Sequence, residues 1–142
     1  MMMTISDIEI MEIKEDYVSF ETAKLLKEKG FNEICYLGYN ENGEYFPTGN
    51  RTNSQIIQPD FCFICCPTLQ MALKWLREIH KIHIEALCPV VDVTGDPVKY
   101  NVVISNLNNN CIAVETELDD VEYNTYELAC EFALLYCLKN LI

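Results

Sequence analysis

Cysteine and histidine are the residue types here best suited to do chemistry, and Cys62, Cys65 and Cys66 with His80 and His83 form their one tight cluster. A C-x2-C step followed by an H-x2-H step falls within the spacings that hold Zn²⁺, which takes four sulfur or imidazole ligands. The local pattern opposes that reading. In an extended run Cys62 and Cys65 point to opposite faces, and the tight turn a C-x2-C knuckle wants is not offered by Ile64-Cys65-Cys66. On a helix His80 and His83 would be neighbours, but the apolar stripe of that helix ends there. The sequence therefore assigns no metal and no cofactor, and keeps these five residues as a metal-binding or redox alternative.

A nucleophilic cysteine needs a nearby base and a lowered pKa. Cys66 is the best single candidate, because it directly precedes a helix whose dipole would favour a thiolate. A chain with two histidines offers few bases, however, and a connector residue is the simpler reading. Asp119-Asp120 and Glu115 with Glu117 could do acid and base work, but acids ahead of a helix are explained by its dipole. No P-loop, dinucleotide-binding glycine fingerprint, nucleophile elbow or HExxH helix is present. The expectation is a protein that is not an enzyme, with no catalytic residue assigned.

These residues must be positioned by regular elements, and the signals for those are clear. Ser19 to Gly30 predicts a helix: Ser19 as N-cap, Val18 stapled to Ala23, Glu21 in the first turn and Lys27 and Lys29 in the last. Gly30 suits the left-handed C′ position, with Phe31 placed against Leu26 in a Schellman ending. Glu33 to Tyr39, then Asn40-Glu41-Asn42-Gly43, then Glu44-Tyr45-Phe46 predicts a β-hairpin whose Asn-Gly pair takes positive φ. Pro47 to Gln55 reads as a polar loop, and Phe61 to Cys66 as a short buried strand.

Pro67 is expected as the first residue of the next helix. Its core stripe is Leu69, Ala72, Leu73, Leu76 and Ile79; Lys74, Arg77 and Lys81 lie on the other side, and Trp75 near the boundary. His83 to Val93, Val98 to Ser105 and Cys111 to Glu117 predict three strands whose short connections make them antiparallel. Asn124 and Glu127 are spaced as a capping box for a last helix, Tyr123 to Ile142. The expected fold class is α+β: an antiparallel sheet with about three helices packed mainly on one face. Residues 1–142 are read as a single two-layer domain, with the N-terminal ~15 residues loose.

The last helix is apolar on almost every side, so its own sheet, other helices or another copy must cover it. A homodimer through this helix is the expectation, with Phe132 and Tyr136 as interaction residues. Lys74, Arg77 and Lys81 form a second candidate interaction face, one that would dock onto an acidic surface of a second copy or another protein.

Charge bears on the partners. The net charge is −12, with ten acids and four bases in residues 1–50, five of each in 51–100, and seven acids and one base in 101–142. Such a chain repels phosphate backbones, so no nucleic-acid partner is expected. An acidic inhibitor that mimics DNA remains a second alternative. No stretch approaches the ~20 apolar residues of a bilayer span, and the N-terminus shows no basic, then apolar, secretory signal. No membrane partner and a cytoplasmic location are expected. The eight cysteines, at 35, 62, 65, 66, 88, 111, 130 and 137, then read as reduced, small buried hydrophobes.

Three segments, SFETAKLLKEKGF (19–31), PTLQMALKWLREIHKIHI (67–84) and YELACEFALLYCLKNLI (126–142), together resemble a group of short, uncharacterised proteins of gut Bacteroidetes genomes, often associated with prophages or other mobile elements. Lys74-Trp75-Leu76-Arg77-Glu78 is the most specific part of the resemblance. It implies a small cytoplasmic accessory protein of a phage or mobile element, and it carries no activity, ligand or site residue with it. The final helix of that group alternates charged residues on its outer face, whereas Cys130, Phe132, Tyr136 and Cys137 here add apolar surface. The resulting expectation is a non-enzymatic interaction protein that pairs with itself.

Overall fold

The computed structural model describes residues 13–55, 63–88, 99–110 and 112–142. Among them the elements run α1 (Phe20–Glu28), β1 (Cys35–Tyr39), β2 (Tyr45–Arg51), β3 (Ile64–Cys66), α2 (Leu69–His80), β4 (Ile82–Leu87), β5 (Asn101–Asn106), β6 (Ile112–Ala113) and α3 (Tyr126–Asn140). The fold is an α+β mix. The strands do not share one sheet as expected. They form two antiparallel three-stranded sheets, in the orders β2-β1-β3 and β4-β5-β6. The division falls at α2: the strands before it pair as β2-β1-β3, and those after it pair among themselves.

α1 begins and ends as its sequence predicts. The Ser19 hydroxyl accepts from the Thr22 N–H, and Gly30 takes φ +93°. Phe31 N–H reaches Leu26 O at 2.8 Å and Gly30 N–H reaches Lys27 O at 3.1 Å, the two bonds of a Schellman ending. A Cβ on Gly30 would meet nothing within 4 Å. Gly30→Ala therefore lowers stability by about 1–2 kcal/mol through backbone strain alone, measured by chemical denaturation.

The β1–β2 hairpin forms, with a different turn. Gly43 is left-handed but Asn42 is not. Instead the Asn40 side chain accepts from the N–H groups of Asn42 and Glu44, and Gly43 N–H closes on Asn40 O. The segment read as a loop, 47–55, is mostly strand: β2 runs to Arg51, followed by a 3-10 turn, Asn53–Gln55. Pro47 is tolerated because β2 is an edge strand. Left-handed Gly49 and Asn50 bulge the strand before Arg51 rejoins opposite Cys35.

The starts of α2 and α3 fall later than expected, with Leu69 in place of Pro67 as the first residue of α2 and Thr125 in place of Asn124 as the cap of α3. Thr68 caps α2, its hydroxyl accepting from Met71 N–H, while Pro67 stays extended and its carbonyl accepts from Val18 N–H. Thr125 caps α3 in place of Asn124. Tyr123 is paired with Tyr100 by two backbone bonds, which keeps the chain extended past the earlier position. The chain before α1 is held from Asp16 onward, where Leu69 N–H donates to Asp16 O and Tyr17 bridges Thr68.

In α2, Leu69, Ala72, Leu73 and Leu76 are buried as expected. Ile79, in the last turn of the helix, is 59% exposed. Trp75 is buried, not at the boundary, and its ring meets Phe31 edge-on at 5.5 Å. The chain then turns abruptly into β4 through left-handed Lys81. The predicted antiparallel meander is present as β4-β5-β6, but β6 is two residues long. The turn predicted at 94–97 lies outside the described residues, as do Phe61, Cys62, Cys111 and residues 1–12.

One apolar cluster draws on all three helices and both sheets, with Val18, Leu26, Phe31, Leu76, Ile104, Leu134 and Leu138 at its centre. No helix among the described residues is long and apolar enough to cross a membrane.

Candidate functional site

Cys62 lies outside the described residues; the other four members of the cysteine–histidine cluster go to separate environments. Cys65 and Cys66 are adjacent on β3, so their side chains leave opposite faces of the strand. The Cys65 thiol donates to Arg51 O at 3.3 Å, and the Cys66 thiol to Val18 O at 3.6 Å. His80 packs its ring against Trp75 at 4.7 Å, and burial holds its imidazole below the ordinary value. His83 belongs to β4, beyond the left-handed Lys81, so the two histidines do not follow one helix. Among the described residues no group of three or more His, Cys, Asp or Glu is arranged to hold a metal ion.

Cys66 is not a helix-activated thiolate. It precedes the capping residue by two positions, is 1% exposed, and burial pushes its thiol up to about 11. Cys137, in the core-facing side of α3, is pushed up to about 12 by the same cause. Both are protonated at neutral pH and behave as small apolar residues. Cys35, on β1, is buried in the same core and its thiol donates to Glu33 O at 3.6 Å.

The basic face is only partly a face of the helix. Lys74 is exposed on α2, Arg77 is half-buried, and Glu78 lies 3.9 Å from the Arg77 guanidinium. Lys81 is the C-cap residue and leaves the helical repeat. Exposed pairs such as Arg77–Glu78 contribute about 0–1 kcal/mol. Asp119 is used structurally: its carboxylate accepts from the Thr116 N–H and hydroxyl, closing a turn ahead of α3.

α3 is the element with surface to spare. Ala129, Cys130, Ala133, Leu134, Cys137 and Leu138 are buried, packed toward α1, α2, β4 and β5. On a helix with 100° per residue, Leu128, Phe132, Leu135 and Tyr136 fall within a sector of about 100° on the other side. Leu128 is 44% and Phe132 48% exposed, while Leu135 and Tyr136 are half-buried. Among the described residues the expected all-round cover is therefore incomplete: a strip about two and a half turns long is left partly open. Phe132 keeps one neighbour, the buried Tyr123, stacked at 5.4 Å.

The strip is bordered by charge of opposite sign at its two ends. At the N-terminal end Glu127, Leu128 and Glu131 line a cleft of ≈ 540 Å³ with Asp16, Tyr17 and Leu69. Glu131 also fastens α3 to α1, accepting from Ser19 N–H at 3.0 Å and from the buried Thr22 hydroxyl at 2.5 Å. A carboxylate there also meets the positive end of α1. At the C-terminal end Lys139 donates to Glu21 at 3.0 Å, both side chains being exposed.

Compared with protein-family models, with curated proteins and with solved structures, the chain finds no match.

Proposed function

We propose that this protein is a non-enzymatic interaction protein that pairs with a second copy of itself through the outer strip of α3. The observation that carries the reading is the open apolar strip of Leu128, Phe132, Leu135 and Tyr136 on a helix whose other side is fully packed. Clustered apolar surface of this kind marks interaction sites. The strip is also self-complementary. An antiparallel crossing centred near residue 133 lays Lys139 of each copy over the end carrying Glu127 and Glu131 of the other, which is the isologous arrangement of a two-fold dimer.

Light scattering during size-exclusion chromatography tests this: a dimer is expected at tens of micromolar, and a monomer at that concentration refutes it. A paired reversal, Lys74→Glu with Arg77→Glu, separates the two candidate faces. Association unchanged within about twofold assigns the contact to α3, and its loss assigns it to the basic face of α2; stability stays within about 0.5 kcal/mol in either case. The accessory role for a phage or mobile element rests on the sequence resemblance alone.

A further inference from the structure

Residues 101–142 hold a single base, Lys139, against seven acids. It stands in line with the strip on α3: at 100° per residue it falls about 20° from Leu128 and about 20° from Phe132, between the two. Within the chain its ammonium is held by Glu21 at 3.0 Å, and both side chains are exposed. Exposed pairs of this kind are weak, so Lys139 can change partner at little cost.

The far end of the strip is suited to receive it. Leu128 belongs both to the strip and to the cleft of ≈ 540 Å³, whose described lining carries the carboxylates of Asp16, Glu127 and Glu131 and no lysine or arginine. Val18, Tyr39 and Leu69 are buried at its floor, whereas Asp16, Tyr17 and Glu127 are exposed at its mouth. Two of the acids are anchored. Leu69 N–H holds the Asp16 carbonyl, and the Glu131 carboxylate accepts from Ser19 N–H and the Thr22 hydroxyl. An acidic mouth over an apolar floor suits a lysine, whose methylene stem packs on apolar surface while its head stays with charge.

Leu128 and Lys139 are separated by about 17 Å along the helix axis. A two-fold axis midway between them lays each Lys139 over the Leu128 of the other copy, beside its cleft, so both ends of the contact are satisfied at once. A stable dimer buries about 800 Å² on each partner. Four side chains that are already partly covered do not supply that area, and the cleft is the apolar surface that adjoins them.

We propose that this cleft is the seat of the second copy's Lys139, whose ammonium leaves Glu21 for Glu127 and Asp16 while its stem covers Leu128 and Tyr17. The inference rests on the pairing through α3 and adds its register and its selectivity. A parallel pairing would set Lys139 against Lys139, so the same contact selects the antiparallel arrangement.

The test is a charge swap between full-length chains, Lys139→Glu and Glu127→Lys, each alone and the two mixed. Alone, each variant opposes like charges at both ends of the contact, and its dissociation constant in sedimentation velocity is expected to rise at least about 10-fold over wild type. In an equal mixture, with one variant labelled with heavy nitrogen, opposite charges meet again at both ends. Association is expected to return to within about threefold of wild type, and native mass spectrometry to find heterodimers well above the statistical half. Mixing cannot repair a loss inside one chain, such as the Glu21 pair, so the rescue reads the contact between copies. Heterodimers at the statistical half, or a Lys139→Glu chain that associates within about twofold of wild type, overturn the proposal; if Phe132→Asp still dissociates the wild-type dimer, the pairing through α3 then stands without this seat. A wild-type chain that is monomeric at tens of micromolar overturns both.

Discussion

Trp75→Ala lowers the free energy of unfolding by about 3–5 kcal/mol, the range for removing a large aromatic from a packed core. Trp75 is 5% exposed and is held edge-on between Phe31 at 5.5 Å and His80 at 4.7 Å. Those contacts join α2 to the loop that ends α1, so the vacated volume sits between two elements and cannot close by moving one side chain. A domain of this size has about 5–15 kcal/mol in total, so the variant loses a large share of its stability. At about 3 °C per kcal/mol, its melting temperature falls by roughly 10–15 °C. Circular dichroism on heating reads this directly. Since the chain has one tryptophan, wild-type fluorescence gives a second reading, with blue-shifted emission that moves red on unfolding. A loss under about 1 kcal/mol would place Trp75 at the boundary after all.

Phe132→Asp is expected to convert the proposed dimer to a monomer, raising its dissociation constant at least about 100-fold, roughly 2.7 kcal/mol. The substitution is felt twice in a two-fold interface, and it brings two like charges toward each other at the crossing point. Its cost to the single chain is small, about 1 kcal/mol, because Phe132 is half exposed and loses one stacked ring, Tyr123. Leu128→Asp acts in the same direction. Sedimentation velocity over a concentration series measures both. A dimer that survives Phe132→Asp unchanged is not held by this strip.

The contrast between α1 and α2 shows which signals reach the sequence. Ser19, Gly30 and Phe31 act within one helix and its flanking residues, so their types and spacing predicted both ends of α1 correctly. For α2 and α3 the local signals pointed to Pro67 and Asn124, and the structure caps the helices with Thr68 and Thr125. The choice was made by distant partners: Val18 holding Pro67 extended, and Tyr100 holding Tyr123. Likewise Trp75 and Ile79 both lie on apolar arcs of α2, and only the arrival of Phe31 beside one of them separates buried from exposed.

The candidate site follows the same division. The chain's own pattern determined an α+β class, its helices, the β1–β2 hairpin, the β4-β5-β6 meander and an unusually apolar last helix, because periodicity, caps and turns are properties of neighbouring residues. Tertiary structure decided that the strands split into two sheets, that Cys65 and Cys66 take different carbonyls on opposite faces of β3, and that α3 leaves Leu128 and Phe132 open. Those outcomes are set by which surfaces of remote elements come into contact. Such pairings cost loop-closure entropy and are won by packing, and neither leaves a local pattern in the chain.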